Sequence, residues 1–382
     1  MNHTPVLNIA IITNIIPSYR KGFYDRLFLR KDISVTVYCQ EKIPGMNLQA
    51  IHNIYPDNVK LIKYISFKRE KFAWQFIPWL EILGEYDVVF IMGNPRILSD
   101  VLFGSLLTLF NKKVVLWTQA HSYRANTLTE KIRLLWSRIF KFIFVYTDLE
   151  VDFLRIKGFK RNVIIGMNNG LDQKFIDAII TKWDIERLND WRQSNGLENK
   201  TLLLSCARLD PKNKFEQVIQ ALPKILAEIP NLIWCIIGDG EERDHLETIV
   251  KATGLENNVR FVGAVYLEDD LAPWFLSSEL LIHPAAIGLT LMHAFGYGLP
   301  VITHGLSELH NPEYAAFKPE FSGRNFIMGD IESLAKTTID LLKDKSTLLN
   351  MKNYALSVAR EEYNVDVMAE RFVQIANIAF KN

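Results

Sequence analysis

A chain of 382 residues is too long for one ordinary core and implies two domains of roughly 200 residues or fewer each. With 49% apolar and 23% charged residues it reads as a soluble globular protein, and no run approaches 18 consecutive apolar residues, which excludes a membrane-spanning helix. The net charge of +1 hides an asymmetry: residues 1–170 hold 23 Lys and Arg against 13 Asp and Glu, hence +10, and the remainder holds 21 against 30, hence −9. The first half is therefore expected to meet an anionic surface, while the acidic second half argues against nucleic acid. Met1 to Pro5 leads into no secretory signal, which points to the cytosol. Cys39, Cys206 and Cys235 stand apart without metal-ligand spacing and read as reduced core residues, and no cysteine or histidine cluster offers a metal site.

Residues 8–17 form an apolar run closed by Pro17, the pattern of a buried strand, and residues 18–27 read as a loop entering a helix. A helix start just past a first strand is a candidate anion site, and Arg20 stands there as a candidate phosphate contact. Further strands are expected at residues 35–39, within 58–67, and at 87–92 and 113–117. After the last of these comes Thr118-Gln119-Ala120-His121, a polar cluster where open α/β sheets place ligands, which makes His121 a site candidate. Residues 129–144 read as a helix in which Lys131, Arg133, Arg138 and Lys141 interleave with Leu134, Leu135, Trp136, Phe140 and Phe142. Together with Lys68, Arg69, Lys71, Lys112 and Lys113, it suits docking on anionic lipid. Gly170 supplies a tight turn, and residues 174–199 are polar and helical, a linker.

A second domain restarts at residues 201–214, an apolar strand followed by Arg208, Lys212 and Lys214. Residues 233–240 are a strand ending in Gly238-Asp239-Gly240, whose glycines allow close backbone approach, and residues 258–265 are another strand. Residues 280–303 read as a strand, a helix and a second strand. Leu280, Leu281 and Ile282 are a buried run stopped by Pro284; Leu289, Met292 and Phe295 make an apolar stripe; Gly298 before Pro300 ends the helix. The amides of Ile287, Gly288 and Leu289 are expected to point out of the helix start at the carboxyl edge of the sheet, where phosphate is the natural guest. Residues 304–326 are loop-like and carry Glu308, His310, Asn311 and Glu313; residues 331–343 and 348–361 are amphipathic helices.

The stretch around Gly288 resembles the donor-binding signature of family 4 glycosyltransferases of the GT-B fold. Gly288, Leu289, Ala294, Gly298, Pro300, Val301 and Ile302 match it, whereas both glutamates of the family's E-x7-E pair are replaced, by Ala285 and His293. Arg208 matches the arginine of the family's phosphate-binding segment, but Asn213 holds the usual lysine position, between Lys212 and Lys214. The Gly238 turn, the 258–265 strand, the Asn169-Gly170-Leu171-Asp172 turn and the closing segment 363–372 are similar to family text as well. The resemblance implies an α/β fold, GT-B, with two Rossmann-like parallel-sheet domains facing a central cleft. It implies residues 1–170 as the acceptor-side domain, 171–199 as a linker region, 200–364 as the nucleotide-sugar domain and 365–382 as a helix closing the first.

By function, the resemblance implies a retaining, metal-independent glycosyltransferase. It would move a sugar from a UDP- or GDP-sugar to a hydroxyl of a glycan or glycolipid acceptor, as in bacterial surface polysaccharide or O-antigen-type assembly, with no cofactor beyond the donor. Arg208 and Lys214 would hold the diphosphate with the amides from Ala286 to Leu289, His293 the ribose, and Gly238, Val265 and Tyr266 the nucleoside. His121 would meet the donor sugar or acceptor, and Arg20 a phosphate or the acceptor. Two alternatives remain: a catalytically inactive partner subunit, motivated by Ala285 and His293, and a sugar-nucleotide epimerase on the same fold. A dinucleotide oxidoreductase is disfavoured, since no Gly-x-Gly-x-x-Gly follows the first strand.

Overall fold

The computed structural model describes residues 6–42, 50–67, 71–120 and 127–382; His121, Lys68 and Arg69 lie outside them. The chain separates into two compact units, Met1–Asn169 with Asn364–Asn382, and Gly170–Tyr363. The first unit contains β1 (Leu7–Ile12), β2 (Ile33–Cys39), β3 (Val59–Leu61), β4 (Tyr64–Phe67), β5 (Phe72–Gln75), β6 (Val88–Met92), β7 (Lys113–Thr118), β8 (Phe142–Val145) and β9 (Val163–Gly166). Seven of these form one parallel sheet in the order β3-β2-β1-β6-β7-β8-β9, and β4 and β5 make a separate antiparallel hairpin. Near-continuous apolar runs are what a sheet covered on both faces requires. Ile9 and Ile11 of β1 enter one core layer, and Ala10 and Ile12 enter the other.

The last helix, Val365–Lys381, packs in the core of this first unit. The Phe372 ring stacks on Phe90 at 4.0 Å and meets Phe23, Trp117 and Phe144 edge-on or tilted. Arg26 bonds Asp366 at 2.9 Å on the same seam. The expectation of one helix over residues 129–144 fails: the helix is Thr127–Ser137, and Phe142–Val145 is the buried strand β8. A short apolar run of aromatic and β-branched residues has no helical period, and here it pairs on both sides with β7 and β9.

The second unit contains β10 (Thr201–Cys206), β11 (Leu232–Ile237), β12 (Val259–Gly263), β13 (Leu280–Ile282), β14 (Val301–His304) and β15 (Gly323–Phe326), all parallel in the order β12-β11-β10-β13-β14-β15. The strand order reverses between β10 and β13, which are hydrogen-bonded neighbours with Leu203 opposite Leu280 and Leu204 opposite Leu281. Open α/β sheets bind ligands outside the carboxyl ends of the strands at such a reversal. Ser205 stitches the point together: its Oγ accepts from Trp234 Nε1 at 3.0 Å and donates to the Ile282 carbonyl at 2.7 Å.

Two sequence expectations change in this unit. Residues 173–194 form two helices, Gln173–Ile180 and Ile185–Ser194, and Ile176, Ile179 and Leu197 enter the core instead of lying on a polar linker. Residues 304–326 hold two 3-10 turns and the strand β15, whose Gly323-Arg324-Asn325-Phe326 has too little apolar content to signal a strand.

Candidate functional site

Arg208 follows β10 and Gly288 follows β13, so adjacency of these strands brings both loops to one sheet edge at the reversal. The Arg208 loop is held rigidly from below. Asn213 is buried and its Nδ2 donates to the Arg208 carbonyl at 2.7 Å, while the Ala207 and Leu209 amides donate to the carbonyls of Ile237 and Asp239, each at 3.0 Å. Asn213 is thus a buckle within the loop, not a phosphate ligand. Lys212 is exposed and ion-paired with Asp210. Lys214, in the left-handed region at φ 54°, has no ion pair among the described residues; burial first, and then the nearby Lys214 charge, lower His304 below the usual imidazole range. Arg208 is exposed and has no hydrogen-bonded or ionic partner among the described residues. Arg208 and Lys214 are therefore two uncommitted cations in the segment after β10, and of the two lysines Lys214 is the one without an ion pair.

The helix Leu289–Gly296 starts at the same edge and is tied to β10 by Thr290, whose Oγ1 donates to the Cys206 carbonyl at 2.9 Å. Its amides are not all available, which corrects the sequence expectation. The Ile287 N–H donates to His310 Nδ1 at 3.1 Å, and the Ile287 side chain is fully buried in the core. That leaves the amides of Gly288 and Leu289 without an acceptor among the described residues, facing out with the positive end of the helix dipole. Gly288 packs against an internal neighbour: a Cβ there would sit 2.9 Å from Asn311 Nδ2, so that side chain would have to shift.

Gly238 is likewise explained from inside. Its φ of 144° suits glycine, a Cβ would meet the Ala207 carbonyl oxygen at 2.0 Å, and its N–H is spent on the Gly263 carbonyl at 2.8 Å. It shapes the Arg208 loop, and its amide is already bonded within the unit. Val265 is half-buried against the core and Tyr266 is 88% exposed, both just after β12, two strands away from β10 in the sheet. Ala286 accepts through its carbonyl from the His283 ring at 3.3 Å.

His293, at the place of the second motif glutamate, is paired with a carboxylate that sequence reasoning missed. Its Nε2 bonds Glu268 Oε1 at 2.7 Å, and the Tyr297 hydroxyl donates to the same oxygen at 2.6 Å. The imidazole stacks on Phe275 at 4.9 Å. Burial works to raise the Glu268 carboxyl, but the bonds from His293 and Tyr297 outweigh it and hold the group below the usual carboxylate range. Glu268 opens the helix that crosses from β12 to β13, so it comes to His293 by the fold and by no spacing readable in the sequence.

Beneath the loop 283–288 lies a histidine layer. His283, His304 and His310 are all buried, the His304 and His310 rings stack at 3.9 Å, and Tyr314 stacks on His310 at 4.0 Å. Since His310 Nδ1 accepts from Ile287, its proton is on Nε2, which donates to the His304 carbonyl at 2.9 Å. Burial lowers His310 to about 3 and His283 to about 4, so both are neutral. Ala285 is buried and Glu308 exposed. The burial of Glu313 departs from the solvated loop expected there. Among the described residues no group of three or more His, Cys, Asp or Glu is arranged to hold a metal.

In the first unit, Arg20 lies past β1 on a 3-10 turn and is 7% exposed, its guanidinium 5.4 to 5.7 Å from the ring centroids of Tyr19, Trp117 and Tyr146. Around the end of the same strand, the side-chain oxygens of Asn14, Gln40 and Gln75 are buried without a donor. Arg133 is buried, with Nη2 donating to the Ala120 carbonyl, and so leaves the exposed basic face expected of it.

Residues 188–358 match the family model described as "Glycosyl transferases group 1". Among curated relatives, the GtfA subunit of a UDP-N-acetylglucosamine–peptide N-acetylglucosaminyltransferase from Streptococcus agalactiae is 25% identical over 73% of this chain and 51% of its own length. The lipopolysaccharide core biosynthesis glycosyltransferase LpsE of Rhizobium meliloti is 21% identical over 46% of this chain and 49% of its own. The chain spans about half the length of the curated relatives it matches. The solved structure of Anabaena HepE in complex with UDP superposes with a TM-score of 0.71 over 98% of this chain and all of that one, at 15% identity. Residues 188–358 are thus similar to group 1 glycosyltransferases, and the two parallel-sheet α/β units have the GT-B fold.

Proposed function

We propose that the chain transfers a sugar from a nucleotide diphosphate sugar, with UDP or GDP as the carrier, to a hydroxyl of a lipid-linked glycan in bacterial surface polysaccharide assembly. One observation carries this reading. Arg208 and Lys214, cations without ion pairs among the described residues, follow β10, and the amides of Gly288 and Leu289 follow its neighbour β13 at the strand-order reversal of the second unit. A diphosphate is the ligand that such a group neutralises. The relatives, a UDP-N-acetylglucosamine–peptide N-acetylglucosaminyltransferase subunit and a lipopolysaccharide core biosynthesis glycosyltransferase, agree with a donor and an acceptor of these classes.

In this reading the bond from the anomeric carbon to the diphosphate oxygen breaks, and its electron pair stays on the leaving oxygen. Arg208, Lys214 and the helix start stabilise the negative charge that develops there. The acceptor oxygen bonds to the anomeric carbon on the face the diphosphate leaves, with retention, and its proton passes to the departing phosphate oxygen. No carboxylate pair flanking the bond is then required, unlike glycoside hydrolysis. His293, oriented by Glu268, holds the ribose hydroxyls, and the positively charged first unit receives the acceptor at an anionic membrane surface.

Titration calorimetry with UDP and GDP tests the core of this. Arg208→Ala should weaken diphosphate binding by about 1.5–3 kcal/mol, the range for hydrogen bonds to charged partners; an unchanged Kd would remove the assignment. The burial of Ala285 at the first motif-glutamate position favours a second reading, a subunit that binds sugar nucleotides without turning them over. Binding without transfer or hydrolysis across a sugar-nucleotide panel would select it, and interconversion of donor epimers would select an epimerase.

A further inference from the structure

Arg20 is a buried cation with no carboxylate counterion among the described residues. The adjacent Tyr19 side chain hydrogen-bonds it, but it has no ion pair there and its Nη1 is enclosed without an acceptor. The three rings around it attract the charge through their faces, but a ring face does not accept the in-plane N–H bonds of a guanidinium. Folding does not normally strand a charge in this way, because removing it from water is costly unless an anion replaces the water. The helix Lys21–Phe28 follows directly, with no acidic residue in its first turn, but the 3-10 turn Ser18–Arg20 closes its start: the Arg20 N–H donates to the Pro17 carbonyl and the Lys21 N–H to the Ser18 carbonyl. The cation itself lies past the carboxyl end of β1, beside β6 where this sheet also reverses its order.

We propose that Arg20 is the seat of an oxyanion carried by the acceptor, a phosphate or a carboxylate close to the hydroxyl that is glycosylated. This rests on the reading of the first unit as the acceptor side. Guanidinium and carboxylate or phosphate share a two-point geometry, which suits Arg better than Lys here. The donor's diphosphate already has its own cations in the second unit, Arg208 and Lys214. The amide oxygens of Asn14, Gln40 and Gln75 around the same strand end are likewise enclosed without a donor.

The test is thermal unfolding of the full chain at constant ionic strength, with saturating UDP present to fill the diphosphate site, and with methyl phosphate or sodium acetate as the probe. Wild type should show a saturable rise in Tm of about 2–4 °C with one of the two probes. Arg20→Met should lose that rise, and Arg20→Lys should keep part of it. Without a probe, Arg20→Met should melt at or above wild type, since it removes an unpaired charge. An equal rise in wild type and Arg20→Met, no rise with either probe, or an Arg20→Met chain melting several degrees lower would overturn the proposal. UDP itself should stabilise all three chains equally. Failure of UDP to stabilise wild type would sink the donor reading, while the probe comparison would still decide Arg20.

Discussion

At the scale of single residues, side chains that look like ligands divide into those the fold consumes and those it leaves free. Gly238 and the Ile287 amide were expected as ligand contacts and Asn213 holds the family's lysine position, yet each is spent within the second unit. No local pattern distinguishes Gly238 and Ile287 from Arg208, Lys214 and Gly288, because their partners, Gly263 and His310, come from another strand and another loop. The histidine layer has a measurable consequence. His283 and His310 stay neutral in the folded chain, at about 4 and about 3, against about 6.5 when unfolded. Below pH 6.5 the unfolded chain therefore binds protons that the folded chain refuses, so stability is full above that pH and falls as pH drops. Urea unfolding at pH 7.5 and 5.5 should differ by about 1.4 kcal/mol for each of the two. His310→Gln should remove one share of that difference; identical stability at both pH values would show that the imidazoles are hydrated.

At the scale of elements, long buried runs were legible and short or mixed ones were not. β10, β11, β13 and β14 follow from apolar text bounded by turn residues, and the start of the Leu289–Gly296 helix was readable from Gly288. β8 was absorbed into a helix because four apolar residues have no period to contradict it, and β15 was invisible because an edge strand needs little apolar content. Gly238 joins two elements, and its substitution should damage both. Gly238→Ala places a methyl 2.0 Å from the Ala207 carbonyl at a φ of 144°, so the Arg208 loop must shift. We expect a loss of about 2–4 kcal/mol in denaturant unfolding, with weaker UDP binding in the fraction that folds. Wild-type values for both would show that the loop is pliable.

At the scale of the molecule, the basic half of the charge asymmetry coincides with exposed apolar side chains in the first unit. Leu102, Leu106, Leu109 and Phe110 on or just after the helix Leu98–Leu109 are exposed, as are Ile132 and Leu135 on the helix Thr127–Ser137, and Trp136 Nε1 donates to Ser105 Oγ at 3.4 Å between the two helices. Lys131 and Arg138 lie on the exposed side of the same helix pair region, and no described helix is long and apolar enough to cross a membrane. Insertion of such leucines beside cations is how a peripheral protein holds an anionic bilayer. Leu109→Glu with Leu135→Glu, both at solvent-facing positions, should reduce co-sedimentation with phosphatidylglycerol vesicles by at least about tenfold without changing Tm, since each leucine inserted contributes about 1.5–3 kcal/mol. Equal pelleting would remove the membrane from the account.

The claim on which the rest depends is that the second unit holds a diphosphate where its strand order reverses. A crystal structure with UDP tests it most directly. The account predicts phosphate oxygens within about 3 Å of the Arg208 guanidinium and of the Gly288 and Leu289 amides, with Lys214 beside them. A nucleotide bound elsewhere, leaving Arg208 and the helix start in solvent, would contradict it.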